Sequence, residues 1–206
     1  MRVILSLLLL VFGFIPSAVS ADEPPVLLIL GDSLSAGYGM DREDSWVNLL
    51  NLRFQEYGYS YRILNSSISG DTSQGGLARL PRLLDRYTPE IVIIELGAND
   101  GLRGINPDIT RENITSMIQQ SQSIGARVLL AGIKLPPNYG TAYLEKFESM
   151  YGDLATEYGT LLVPFFMQSV ALNPEFLQAD NIHPNEAGQP VLLDNVWKVL
   201  EPALSR

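Results

Sequence analysis

Ser33 stands just beyond the apolar run 26–30, in Gly31-Asp32-Ser33-Leu34-Ser35-Ala36-Gly37, and a serine delivered by a strand end is a candidate nucleophile. Its hydroxyl attacks an acyl carbon only when a neighbouring base takes the proton. The chain holds a single histidine, His183, within Asp180-Asn181-Ile182-His183-Pro184. Pro184 disfavours a helical His183, so the imidazole is expected on a loop ahead of the last helix. Asp180 precedes it by one turn and can hold one ring nitrogen while the other faces Ser33. Nucleophile, base and orienter are thus all available.

Attack on a carbonyl leaves a negatively charged oxygen that needs hydrogen-bond donors already in place. Three candidates stand after strand-like segments: the Ser33 N–H, the unshielded N–H of Gly70 in Ser69-Gly70-Asp71, and the neutral amide of Asn99 in Gly97-Ala98-Asn99-Asp100. Read singly, Gly70 fits an ordinary turn and Asn99 an Asx turn. Placed together they fit an oxyanion site. Asp32, Asp71 and Asp100 are expected to be hydrogen-bonding supports.

The elements that must position these groups alternate in type. Strand patterns at 26–30, 59–64, 91–96, 127–133 and 160–163 interleave with helical stripes. The first stripe is Trp46, Leu49, Leu50, Phe54 and Tyr57, capped by Ser45 and ended by Gly58. The second is Leu77, Leu80, Leu84 and Tyr87, with Pro81 as a kink or restart. Ile114, Met117, Ile118 and Ile124 outline a third, Leu144, Phe147, Tyr151, Leu154 and Tyr158 a fourth, and Leu192, Val196, Val199 and Leu200 the last. Such alternation implies a three-layer α/β/α domain with a parallel sheet. Ser33, Gly70, Asn99 and the His183 loop follow different strands, so they converge on one rim. The serine lacks the second glycine of Gly-x-Ser-x-Gly, so a shallower, more open site than a nucleophile elbow is expected.

Together, Gly31-Asp32-Ser33, Gly70, Gly97-Ala98-Asn99-Asp100 and Asp180-Asn181-Ile182-His183 resemble the four blocks of the SGNH (GDSL) hydrolases, in order. Similarity continues through Thr72-Ser73, Leu77-Ala78-Arg79-Leu80-Pro81, Gly101-Leu102-Arg103-Gly104, Leu135-Pro136 and Pro164-Phe165-Phe166-Met167, and so spans the mature chain. Ala98 stands where a close relative has glycine. The resemblance implies a flavodoxin-like five-stranded sheet of order 2-1-3-4-5. It also implies Ser33, Asp180 and His183 as the triad, and the Ser33 N–H, Gly70 and Asn99 as the oxyanion hole. The implied reaction is hydrolysis of carboxylic esters and thioesters of acyl chains through an acyl-enzyme, with arylesterase, acyl-CoA thioesterase and lysophospholipase activities, and no cofactor. The loops carrying Leu102, Ile105, Leu135 and Tyr139 are expected to edge the cleft and offer apolar surface to the acyl chain. A carbohydrate O-deacetylase shares the blocks. A noncatalytic binding module is the other alternative, but it would be expected to lack a triad or oxyanion residue, and none is missing.

Composition sets the remaining bounds. Of 206 residues, 1–21 read as a signal peptide: Arg2, an apolar stretch at 3–15, and Val19-Ser20-Ala21, with cleavage after Ser20 or Ala21. A retained anchor is the alternative to removal. Residues 22–206 then form one hydrolase domain, expected as a monomer in the periplasm or outside the cell. There is no cysteine for a disulfide or a lipid anchor, and one histidine without cysteine excludes a His/Cys zinc site. No phosphate loop, dinucleotide fingerprint or Asp-rich calcium loop is present, so neither a metal nor a nucleotide cofactor is expected. A net charge of -9 argues against nucleic acid and anionic membranes as partners, leaving small-molecule acyl esters and thioesters.

Overall fold

The computed structural model describes residues 23–205; the leader read over 1–21 lies outside the described residues. In chain order the strands are β1 (Val26–Gly31), β2 (Arg62–Asn65), β3 (Ile91–Glu95), β4 (Arg127–Ala131) and β5 (Leu161–Val163). The helices are α1 (Ser33–Ala36), α2 (Trp46–Tyr57), α3 (Ser73–Tyr87), α4 (Ala98–Leu102), α5 (Pro107–Ser123), α6 (Thr141–Tyr158) and α7 (Gln189–Leu200). All strand pairs are parallel and the sheet order is β2-β1-β3-β4-β5, as the family resemblance implies.

The central strands read as unbroken apolar runs because both faces are covered. Alternate residues then serve opposite cores. Leu27, Ile29, Ile91, Ile93 and Leu129 pack with Trp46, Leu50 and Phe54 of α2 and Leu192, Val196 and Leu200 of α7. Leu28, Leu30, Val92, Ile94, Val128 and Leu130 pack with Leu80 of α3, Ile114 and Met117 of α5, and Phe147 and Leu154 of α6. Among the described residues, no helix is long and apolar enough to cross a membrane.

Several boundaries differ from the sequence expectation. Strand β2 begins at Arg62, not Tyr59, because the Tyr59 N–H donates to Phe54 O at 2.9 Å and completes the end of α2. Helix α3 runs unbroken through Pro81, which is exposed, while Leu80 and Leu84 on the inner face are buried. Its start lies at Ser73, where the Asp100 carboxylate accepts the Ser73 N–H at 2.8 Å. Helix α5 starts at Pro107 behind an Asn106 cap, well ahead of its first expected apolar residue.

Ile93 lies in the middle of β3, fully buried and paired with Ile29 and Leu129. Ile93→Ala is expected to lower unfolding free energy by about 2–5 kcal/mol, the usual scale for emptying such a core position. Urea unfolding measures that loss, while turnover per folded molecule should stay near wild type.

Candidate active site

Gly31 closes β1, and Asp32 caps the short helix α1 by accepting the Leu34 N–H at 3.0 Å. This places Ser33 at the first helical position, where the helix supplies no carbonyl for its N–H. The side chain is half-buried. On the opposite flank, the segment before α7 turns on Asp180, whose Oδ1 accepts the Ile182 and His183 N–H groups at 2.9 and 3.0 Å. Its Oδ2 lies 2.7 Å from His183 Nδ1, and His183 Nε2 lies 2.9 Å from Ser33 Oγ. The three residues are therefore brought together across a separation of 150 positions.

The proton positions follow from donor chemistry. The hydrogen bond from His183, helped by the two backbone N–H groups, lowers the Asp180 carboxyl to about 2. It is therefore an ionised acceptor, which assigns the hydrogen to Nδ1 of neutral His183 and leaves Nε2 free to accept from Ser33. Such an arrangement can take the Ser33 proton and return it to a leaving group. Tyr38, from the loop after α1, rests against the imidazole with ring centroids 4.5 Å apart. Gln178 Nε2 donates to Tyr38 O and Pro184 O at 2.8 and 3.0 Å, tying that loop to the histidine segment.

Gly70 sits in the β2–α3 loop at φ +79°, a conformation that favours glycine. Arg103 donates to its carbonyl at 2.9 Å. Arg79 braces the same loop, through the Asp71 carboxylate at 2.9 Å, through Ser66 and through Gly31 O at 3.3 Å. Asn99 lies in the first turn of α4 instead of an Asx turn. Gly97 before it has φ +119°, and a side chain there would strike the Tyr151 hydroxyl. Asp100 locks the turn from behind through Ser73 and the Thr110 hydroxyl, the latter at 3.3 Å. Asn99 Nδ2 itself donates to Asp32 Oδ2 at 3.0 Å and to Asp71 O at 2.9 Å.

The expected cleft-edge residues divide. Leu102 is exposed and Ile105 half-buried, with their carbonyls receiving the Tyr139 and Tyr143 hydroxyls at 3.0 and 2.7 Å. The segments after Asn99 and after β4 are thus tied to each other by two tyrosine hydroxyls. Leu135 needs correction as an edge residue: it is only 9% exposed and packs beneath Gly101, so it supports the loop from the core side. The sequence reading missed Tyr38, Ile68 and Ile182, which are exposed apolar side chains beside His183 or close to Gly70. Their adjacency to the chemical blocks was the available signal. Among the described residues, no group of three or more His, Cys, Asp or Glu could hold a metal ion.

The profile of the GDSL-like lipase/acylhydrolase family matches residues 29–191. The chain is 53% identical over 178 residues to esterase TesA of Pseudomonas aeruginosa, covering 86% of this chain and 89% of that protein. It is 47% identical over 188 residues to thioesterase 1/protease 1/lysophospholipase L1 of Escherichia coli (strain K12), covering 91% of this chain and 88% of that one. The crystal structure of TesA superposes with a TM-score of 0.85 at 53% identity, covering 87% of this chain and 99% of the other.

Asp180→Asn is expected to leave the fold intact and lower kcat by about 10²–10³-fold, somewhat less than removal of a fully buried triad carboxylate. The difference arises because water reaches Asp180, whose side chain is 38% exposed. Because the Asp180 carboxyl lies at about 2, its negative charge and any stability that charge contributes are lost only as pH falls from about 4 towards 2. A pH–rate profile from 4 to 9 should therefore show no step that Asp180→Asn removes.

Proposed function

Because the chain belongs to the GDSL-like lipase/acylhydrolase family, we propose that its esterase and thioesterase function runs through an acyl-enzyme on Ser33. The observation that carries this reading is the unbroken relay of 2.9 Å from Ser33 Oγ to His183 Nε2 and 2.7 Å from His183 Nδ1 to Asp180 Oδ2. His183 takes the Ser33 proton as Oγ bonds to the ester or thioester carbon. The carbonyl electron pair moves onto oxygen, which is held by the Ser33 and Gly70 N–H groups and by Asn99 Nδ2. Collapse expels the alcohol or thiol, which takes the proton from His183. Water, deprotonated by His183, then attacks the acyl carbon and returns Ser33 to its starting state. Throughout, Asp180 holds the imidazole orientation.

The substrate is an acyl chain laid on the apolar rim. Tyr38 rests on His183, and Ile68, Leu102 and Ile182 are exposed on the segments that carry Gly70, Asn99 and His183, which favours acyl esters over acetylated sugars. Each methylene buried there contributes about 0.8 kcal/mol, a gain of at most about fourfold in kcat/KM per carbon. The protein works outside the cytoplasm after loss of its leader, a reading supported by Arg2, the apolar 3–15 and Val19-Ser20-Ala21. N-terminal sequencing of the exported protein should begin at Ala21 or Asp22; recovery of the intact leader would reject export with cleavage.

Ser33→Ala should abolish hydrolysis without unfolding the chain, and a phosphonate ester should label wild type at Ser33 alone. A series of p-nitrophenyl esters, acyl-CoAs, lysophospholipid and acetylated sugars should show kcat/KM rising with chain length. Activity confined to acetylated sugars would favour the deacetylase, and retained turnover by Ser33→Ala would overturn the mechanism.

A further inference from the structure

Two carboxyl groups lie fully buried next to Ser33, Asp32 and Glu95. Among the described residues neither has a lysine or arginine beside it to offset burial. Glu95 Oε2 accepts the Ser35 hydroxyl at 2.7 Å and the Asp32 N–H at 3.3 Å. Asp32 Oδ1 accepts the Leu34 N–H at 3.0 Å, while its Oδ2 accepts Asn99 Nδ2 at 3.0 Å. The second Asn99 amide hydrogen goes to the Asp71 carbonyl at 2.9 Å.

An asparagine amide has nearly the same shape either way round, so its neighbours decide whether nitrogen or oxygen faces a given point. Asp32 Oδ2 and Asp71 O are both acceptors. Reversing the amide would set Asn99 Oδ1 against two oxygens and turn a carbonyl towards the place where a negative oxygen forms. We propose that Asp32 is the positioning residue of the oxyanion site: it grips one amide hydrogen of Asn99, keeps Nδ2 facing the reacting carbonyl, and frees the other hydrogen to pass from Asp71 O to the oxyanion. This rests on the reading of Asn99 as an oxyanion donor.

The cost of the arrangement argues for such a role. Burial pushes the Asp32 carboxyl up to about 6, opposed by the Leu34 N–H, by His183 whenever its ring is protonated, and by the Asn99 amide. As a helix cap alone, a neutral asparagine would serve equally well. Asparagine cannot, however, present one acceptor to Leu34 and another to Asn99, because its second terminal atom is a donor. That donor would meet Asn99 Nδ2 head on.

The test compares kcat and KM for wild type, Asp32→Asn, Asn99→Ala and the double variant, with urea unfolding of each. Asp32→Asn and Asn99→Ala should each lower kcat about a hundredfold, the scale of one oxyanion donor, with KM little changed. The double variant should be within about threefold of Asn99→Ala, since two changes acting on one group do not add. Near-wild-type kcat in Asp32→Asn, a fall expressed mainly in KM, or multiplied losses in the double variant would overturn the proposal and leave the Asn99 reading standing. Unchanged kcat in Asn99→Ala would remove that reading and the proposal with it. Asp32→Ser, which keeps a capping oxygen but is too short to reach Asn99, should fold and show the same kcat loss. Failure of both Asp32 variants to fold would assign the residue to stability and overturn the proposal.

Discussion

Parallel strands covered by helices on both faces can expose side chains from distant segments together at the edges where the strands end. The candidate catalytic groups depend on that constraint. Gly31 pairs with Glu95 across β1 and β3, and Ile29 pairs with Asn65 across β1 and β2. The same register sends Leu27 and Ile29 into one core and Leu28 and Leu30 into the other. A one-residue slip would exchange the cores. Hydrophobic burial therefore fixes the level at which Ser33, Gly70 and Asn99 emerge, although none of these residues contributes much to that burial.

Past the sheet edge, polar ties take over from packing. Arg79 joins the loop after β2 to the end of β1, Arg103 reaches the Gly70 carbonyl, and Asn65 donates to Ser35 O at 2.8 Å. Behind them Asp100 joins α3, α4 and α5 through Ser73 and Thr110. Hydrogen bonds to ionised groups are stronger and more directional than neutral ones. They hold loop backbones whose amides must stay exposed to a substrate, a task that apolar packing would perform by covering them.

Much of the fold was legible in the sequence because its signals are local. Ser45 and Gly58 bound α2 as their capping chemistry requires, and the apolar runs of β1 and β3 needed no tertiary information. His183 was legible as the single imidazole, and its link to Asp180 is a turn-length contact. Contacts made at long range were harder to read. Leu135 looks like a cleft edge but packs beneath Gly101 of α4, whereas Tyr59 misleads despite a short-range contact, its apolar ring matching a strand pattern while its N–H closes the helix on Phe54 O. Nothing local reveals that both hydrogens of the Asn99 amide are already occupied, since one partner lies 67 residues away and the other 28.

Asp180 and His183 form a self-aligned pair: one carboxylate orients the ring through Oδ2 and fixes the intervening backbone through Oδ1. Motions of that exposed segment carry both groups as one body. Misalignment then falls on the junction between the ring and Ser33, which belongs to a different part of the chain; Tyr38 and Gln178 brace that junction. On warming, the enzyme should lose its relay by separation at that junction while the acid–imidazole pair and the sheet remain whole. Heat inactivation would begin as a reversible loosening of one surface turn, ahead of unfolding.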